Sequence, residues 1–186
     1  MKQSRSLSIA TLILLTAVGV LAKSKEEKQA EARKKADQTL QKLYKAKPSA
    51  QAAIKAAAGY AVFNNKSAKI FLGGGGKGSG IVVDNSTKKV TYMRMREIQA
   101  GLGWGVKKFS IVFVFENKKV MDEFANGSWD SGGQTTAAAK TSDGGGSLEG
   151  AVAGGPGVWV YQMTDKGLAL ELTVKGTKYS KDDDLN

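Results

Sequence analysis

Residues 70–83 read Ile-Phe-Leu-Gly-Gly-Gly-Gly-Lys-Gly-Ser-Gly-Ile-Val-Val, so a glycine run separates two short apolar segments. We expect residues 70–72 and 81–83 to belong to one long, interrupted β-strand. Residues 84–87, Asp-Asn-Ser-Thr, form a turn signal, and the next apolar run at 90–95 predicts a returning strand. The stretch therefore predicts a β-hairpin within residues 70–95.

A glycine run can also form a phosphate-binding loop. Gly73, Gly75 and Gly78 satisfy the pattern G-x-G-x-x-G. A dinucleotide-binding loop must open a helix, however, and here residues 81–83 resume a strand. The Walker pattern fails as well, because Gly78 follows Lys77 where Ser or Thr is required. The run therefore predicts a strand rather than a nucleotide site.

Two predicted strands carry glycine along one face. Such a face indicates the close approach of another backbone, a sharp bend or a ligand. Curvature of a closed or strongly coiled sheet is the favoured cause, and a ligand groove is the alternative. In the second strand, residues 98–106, the opposite face is apolar. The candidate groove or close-approach residues are Gly74, Gly76, Gly78, Gly101, Gly103 and Gly105.

The rest of the β-rich region contains further strands and one helix. A strand at 60–63 is expected to stop at Asn64-Asn65, and 109–115 reads as a central strand buried on both faces. Residues 118–126 predict a short helix closed by Gly127. Further strands are predicted at 158–161 and 168–174. Residues 128–157 are rich in Gly, Ala, Ser and Thr, which fits either a flexible loop or weakly packed strands.

The N-terminal 57 residues divide into two segments. Residues 1–22 combine Lys2 and Arg5 with an apolar run of roughly 15 residues, which is typical of a Sec signal peptide. An uncleaved membrane anchor is the alternative. Residues 23–57 follow as a basic helical segment, 58–180 form the β-rich domain, and 181–186 form a polar tail expected to be solvated. The predicted location is the periplasm or outside the cell.

Composition excludes several kinds of chemistry. The 186 residues include 28 Lys and Arg against 17 Asp and Glu, for a net charge of +11, and contain neither Cys nor His. Disulfides, thiol nucleophiles, a Ser-His-Asp triad and histidine-ligated zinc are therefore excluded. No spacing marks two acidic residues as a catalytic pair. We expect a protein that binds rather than an enzyme, with no cofactor and no metal.

Residues 23–47 form the most basic segment, with nine basic and four acidic residues. Ser24 can cap a helix, and Ala36, Leu40, Leu43 and Tyr44 give it a narrow apolar stripe. A solvated helix packed on a core is one interpretation, and electrostatic contact with an anionic membrane is the other. Nucleic acid is disfavoured because Tyr44 alone supplies an aromatic side chain. The candidate headgroup-binding residues are Arg33, Lys34, Lys35, Lys42 and Lys45.

Four stretches occur in a characteristic order along the chain: 58–63, 73–83, 99–105 with 110–115, and 167–172 with 176–178. Together they resemble the SYLF domain, a lipid-binding domain also found in yeast actin-regulating proteins and plant FYVE proteins. Asn64 stands where the family has proline, and Lys77 lies inside the glycine run. The resemblance implies phosphoinositide binding in eukaryotic members and actin binding in some. For an exported bacterial protein, anionic phospholipid is the natural substitute.

Together these features predict an α+β protein with a basic N-terminal helix packed on a predominantly antiparallel, glycine-rich barrel or sandwich. The leading functional hypothesis is a non-enzymatic cell-envelope protein that contacts anionic phospholipid through its basic helix. The alternative is a module that docks an acidic envelope protein or another polyanion on the same surface.

Overall fold

A computed structural model of the chain describes residues 23–70, 73–100, 105–127, 129–130, 148–169 and 176–186. The predicted signal peptide, Gly101, Gly103 and most of 128–157 lie outside these ranges. Within the described ranges, no helix has the length and apolar character needed to cross a membrane. The elements are α1 (Lys25–Ala46), α2 (Ser49–Ala56), β1 (Gly59–Ile70), β2 (Gly73–Asp84), β3 (Val90–Ala100), β4 (Gly105–Phe115), α3 (Lys118–Asn126), β5 (Trp129–Asp130), β6 (Val152–Gly155), β7 (Val158–Thr164), β8 (Gly167–Ala169) and β9 (Thr177–Lys181).

The strands form one antiparallel sheet in the order β5-β9-β3-β2-β1-β4-β7-β6, with β8 beside β7. The sheet is strongly curled. β9 and β4 are four positions apart in it, which would separate them by about 19 Å if the sheet were flat. The rings of Tyr179 on β9 and Phe113 on β4 nevertheless lie only 5.2 Å apart. The predicted α+β architecture is therefore confirmed, with the sheet curled into an open half-barrel.

The concave face of the sheet holds an aromatic core. Phe63, Phe113 and Tyr179 are buried there, together with Phe124 from α3. The ring of Phe63 lies 4.7 Å from that of Tyr179 and 5.9 Å from that of Phe113, both edge to face. Edge-to-face rings attract one another beyond the burial of their area, so this cluster holds the curl of the sheet.

Helix α1 covers part of the convex face. Ser24 caps it through a capping box with Glu27, as the sequence predicts. Its buried stripe includes Leu40 and Leu43 and packs on one row of side chains that are paired across five strands. This apolar row consists of Tyr161, Val112, Val62, Ile81 and Tyr92, and all five are buried.

Two strand predictions are wrong. β1 does not stop at Asn64-Asn65 but continues to Ile70, where it pairs with Gly73 of β2. Its asparagines remain inside the sheet because their side chains find partners: Asn64 accepts from Ser110, and Asn65 donates to Glu97. The glycine run from Gly73 therefore belongs to a second strand, β2, which is antiparallel to β1. Likewise, residues 98–100 and 105–106 do not share one strand, since they belong to β3 and β4, which have opposite directions in the sheet.

The tail is packed rather than wholly solvated. Leu185 is buried, and Asp182 forms an ion pair of 3.1 Å with Arg94. The tail also contacts α1, because Gln29 donates to the carbonyl of Leu185 and Lys25 donates to that of Asn186, each at 2.7 Å. The two ends of the described chain therefore meet beside β3.

Candidate functional site

A basic cleft of about 690 Å³ lies between α1 and the convex face of the sheet. Five lysines from four elements surround it, two from α1 and one each from β1, β2 and β4. Asn64, Ser79, Ser110 and Thr164 add amide and hydroxyl groups, and Asp165 is the acidic residue on its border. The lysines are Lys35, Lys42, Lys66, Lys77 and Lys108.

Regular structure positions the lysines of the basic cleft. Lys35 and Lys42 are seven residues apart on α1, so two helical turns place them on the same side. Lys66 is directly opposite Lys77 of β2 and Lys108 of β4 in the sheet register. Directly opposite residues project from the same face, so these three point to the convex side. All five side chains are exposed.

One asparagine joins the helix to the floor of the cleft. The Oδ1 atom of Asn64 accepts hydrogen bonds from Thr39 of α1 at 2.9 Å and from Ser110 of β4 at 2.8 Å. A side chain without an acceptor atom, such as that of proline, could not accept these bonds, so Asn64 fixes α1 beside the cleft.

The cleft keeps most of its positive charge. Lys35 is paired with Glu31 at 2.7 Å, and hydrogen bonds from Lys23 and Lys35 lower the pKa of that exposed carboxyl to about 2. The other four lysines, by contrast, form no ion pair within the described ranges. Such a concentration of ammonium groups beside hydroxyl and amide donors suits phosphate or carboxylate ligands.

The structure brings some of the predicted helix residues together and separates others. Lys35 and Lys42 line the basic cleft. Arg33, Lys34 and Lys42 border a second, outward-facing groove along α1. Arg33 is also tied to the sheet, since its Nε donates to the hydroxyl of Tyr92 at 2.6 Å and its guanidinium lies 5.4 Å from that ring. Lys45 is exposed near the end of α1.

The predicted glycine positions behave in two ways. At Gly78, which borders the cleft, an added side-chain carbon would lie 2.7 Å from the carbonyl oxygen of Asn64. The bare backbone therefore lets β1 and β2 pass closely there. Gly74 and Gly76 lie in β2 and Gly105 opens β4, while Gly101 and Gly103 are outside the described residues. Their role in a ligand groove stays a prediction.

Sequence reasoning missed the strand lysines. In the sequence, Lys77 only interrupts the glycine run, and no pattern marks Lys66 or Lys108. Their alignment depends on β1 and β2 being separate paired strands, and glycines carry no side-chain alternation that would indicate this. Across the part of the chain that the structure describes, no group of acidic side chains is arranged to hold a metal ion. The arrangement as described can bind an anion.

Comparison with known proteins identifies similar sequences. Residues 96–186 match the family described as Ysc84, a Las17-binding protein actin regulator. A protein of Aeromonas veronii named Beta cell expansion factor A is 33% identical over 150 residues. The match covers 81% of this chain and 56% of that protein, so the chain spans little more than half of the relative's length.

Proposed function

The chain belongs to the Ysc84 or SYLF family, and from that premise we propose that it is a non-enzymatic protein that binds anionic phospholipid. Family membership indicates lipid binding or actin regulation as the class of function. The basic cleft favours an anionic ligand within that class, because five lysines converge on it. This convergence is the observation on which the proposal rests.

The electrostatics support a membrane as the source of the anion. Near an anionic lipid surface each Lys or Arg contributes on the order of 1 kcal/mol, and salt screens that attraction. Lys34, Lys42 and Lys45 on α1 are exposed and form no ion pair with the described residues. They can meet phosphate groups without first losing an acidic partner.

We further propose that the protein acts in the cell envelope after export. Residues 1–22 carry the sequence features of a Sec signal peptide. Expression in a bacterial host followed by fractionation and N-terminal sequencing tests this. A mature protein in the periplasmic or extracellular fraction that begins near Lys23 is expected, and an uncleaved cytosolic chain would contradict it.

Vesicle co-sedimentation tests lipid binding directly. The protein is expected to sediment with vesicles of phosphatidylglycerol and phosphatidylcholine at 50 mM NaCl and to be released at 500 mM. Equal binding to pure phosphatidylcholine would overturn the proposal. Deleting α1 is unsuitable because its Leu40 and Leu43 are core residues. The variant Lys34→Gln/Lys42→Gln, which keeps the helix, is expected to bind anionic vesicles at least fivefold more weakly.

The family description as an actin regulator supports one alternative, an acidic protein partner on the same basic cleft. A pull-down from detergent-solubilised envelope separates the two functions. Retention of a protein in the absence of vesicle binding would favour the protein partner. Vesicle binding without such a protein supports the lipid.

A further inference from the structure

The three strand lysines of the basic cleft belong to a longer row. Lys77 is directly opposite Arg96 of β3, and Arg96 is directly opposite Lys178 of β9. One register position therefore carries a cation on each of five neighbouring strands, all on the convex face. This cation row consists of Lys108, Lys66, Lys77, Arg96 and Lys178, and every member is exposed.

The cation row opposes folding unless an anion is bound. Like charges directly opposite one another in an antiparallel sheet destabilise it. None of the five forms an ion pair with the described acidic residues. Arg94, two residues from Arg96 on the same strand, shows the contrast, because it is paired with Asp182 and Asp184. Asp130 of β5 follows Lys178 in the register and ends the row.

The nearby buried acid does not lie on the same side. Glu97 follows Arg96, so it points to the concave face, where it is buried and accepts a hydrogen bond from Asn65. The convex surface of the row is thus left positive along an arc of five neighbouring strands, about 19 Å measured along the curled sheet. A single small anion cannot neutralise that arc, whereas an array of phosphates can.

The residues on either side of the cation row indicate what kind of molecule presents the phosphate groups. Towards α1 lie Asn64, Ser79 and Ser110, which offer hydrogen bonds. On the other side, two residues farther along the strands, lie Ala68, Gly75 and Ile98. Ile98 is 74% exposed and is the one large apolar side chain so exposed in the described ranges. Cations followed by an exposed apolar side chain match the order of phosphates and acyl chains in a bilayer surface.

We propose that the cation row is a phosphate-binding surface that docks the strand ends on an anionic lipid bilayer, with Ile98 entering the interface. This inference rests on the proposed lipid function and names the surface that performs it. α1 then contributes from the side through Lys35 and Lys42, and the sheet supplies the main contact.

A double variant at the centre of the row tests the proposal. Lys66→Gln/Lys77→Gln is expected to bind vesicles of phosphatidylglycerol and phosphatidylcholine at least tenfold more weakly, since each lysine near such a surface contributes roughly fivefold. The matched control is Lys55→Gln/Lys119→Gln, which removes the same charge from α2 and α3. The control is expected to change binding by less than twofold.

Folding and charge are checked independently. Thermal unfolding of the row variant should show no loss of stability, since the substitutions relieve repulsion. Lys66→Arg/Lys77→Arg should retain binding. Ile98→Ser is expected to reduce the vesicle binding that survives at 500 mM NaCl, because that fraction depends on apolar contact.

The outcomes separate this inference from the proposed function. Wild-type binding by the row variant would overturn the inference. If the α1 variant alone loses binding, the lipid function stands and the cation row is not its surface. If the wild-type protein binds no anionic vesicles, both fail. Equal row-dependent binding to soluble polyphosphate would replace the bilayer by a soluble polyanion and overturn the inference.

Discussion

The apolar row and the cation row lie on the same face of the same central strands, four residues apart. Val62, Ile81 and Val112 stand in the first row, and Lys66, Lys77 and Lys108 stand in the second. α1 covers the apolar row and stabilises the fold by burying it. The cation row has no covering element among the described residues, and its charges oppose folding. The comparison separates a part of the sheet that supports the structure from a part available for a ligand.

Truncating a side chain of α1 that packs on the apolar row should have the largest effect on the free energy of unfolding. Leu43 of α1 is fully buried against that row, so Leu43→Ala is expected to lower the free energy of unfolding by about 2–5 kcal/mol. Urea denaturation measures this change. Gln41→Ala, an exposed position on the same helix, is the control and should change the free energy of unfolding by less than about 0.5 kcal/mol. Similar losses in both variants would contradict the role of the stripe.

The carboxylate of Asp84, at the end of β2 near the apolar row, should make the stability of the protein depend on pH. Hydrogen bonds from Ser86 and Thr87 and from Lys118 lower the pKa of Asp84 below its ordinary 3.8. Its contribution is therefore complete above about pH 4 and is lost as the pH falls through 3.8 towards the lowered pKa. Asp84→Asn should destabilise the protein at pH 7 and weaken the loss of stability on acidification.

Denaturation between pH 7 and pH 3 checks this response. The control is Asp122→Asn, which removes the other carboxylate bonded to Lys118 on the surface of α3. An unchanged acid response in Asp84→Asn would contradict the assignment. The effect at pH 7 is expected to be smaller than that of the Leu43 cavity.

The boundary between the two rows depends on Asn64. Thr39→Val removes the hydrogen bond from α1 to Asn64 while keeping the branched shape of the side chain, and we expect a loss of about 1 kcal/mol. Ser110→Ala removes the second bond to the same oxygen. Because both donors share one acceptor, the double variant should depart from additivity in a double-mutant cycle. Strict additivity would show that the two bonds are independent.

The smallest expected effect is a gain in stability rather than a loss. Lys77→Gln removes a central charge of the cation row and should raise the free energy of unfolding by roughly 0.2–1 kcal/mol. Salt screens the same repulsion, so wild-type stability should rise more between 50 and 500 mM NaCl than that of the variant. Lys119→Gln on α3 is the matched control. If Lys77→Gln instead destabilises the protein, repulsion within the cation row does not oppose folding.

The helices were the most predictable part of the fold. Ser24 and Gly127 mark helix boundaries through local chemistry, and the structure has helices beginning or ending beside them. The α+β class also followed from the helical segment predicted within 23–57 and the strands predicted within 58–180. These signals depend only on residues close together in the chain, so they can be recognised from a single sequence.

The strand register was not predictable in the same way. The glycines of β2 display no alternation of side chains, so the sequence pattern could not show that residues 70 and 73 belong to different strands. Two asparagines, which often end strands, remain inside β1 because Thr39, Ser110 and Glu97 satisfy them. Both rows require the pairing of β1 with β4, which are separated by two other strands in the chain. The helix pattern therefore indicated two of the five lysines of the basic cleft, and the other three required the structure.

The contact between α1 and the tail has a consequence for the order of folding. Lys25 and Gln29 bond to the carbonyls of Asn186 and Leu185, at sequence separations of 161 and 156 residues. Contacts of such high contact order form slowly, because a long loop must close before they are made. On the ribosome, the beginning of α1 cannot dock until residues 185 and 186 have been synthesised. The first turns of this early-emerging helix are thus expected to be among the last parts of the described chain to reach their final position.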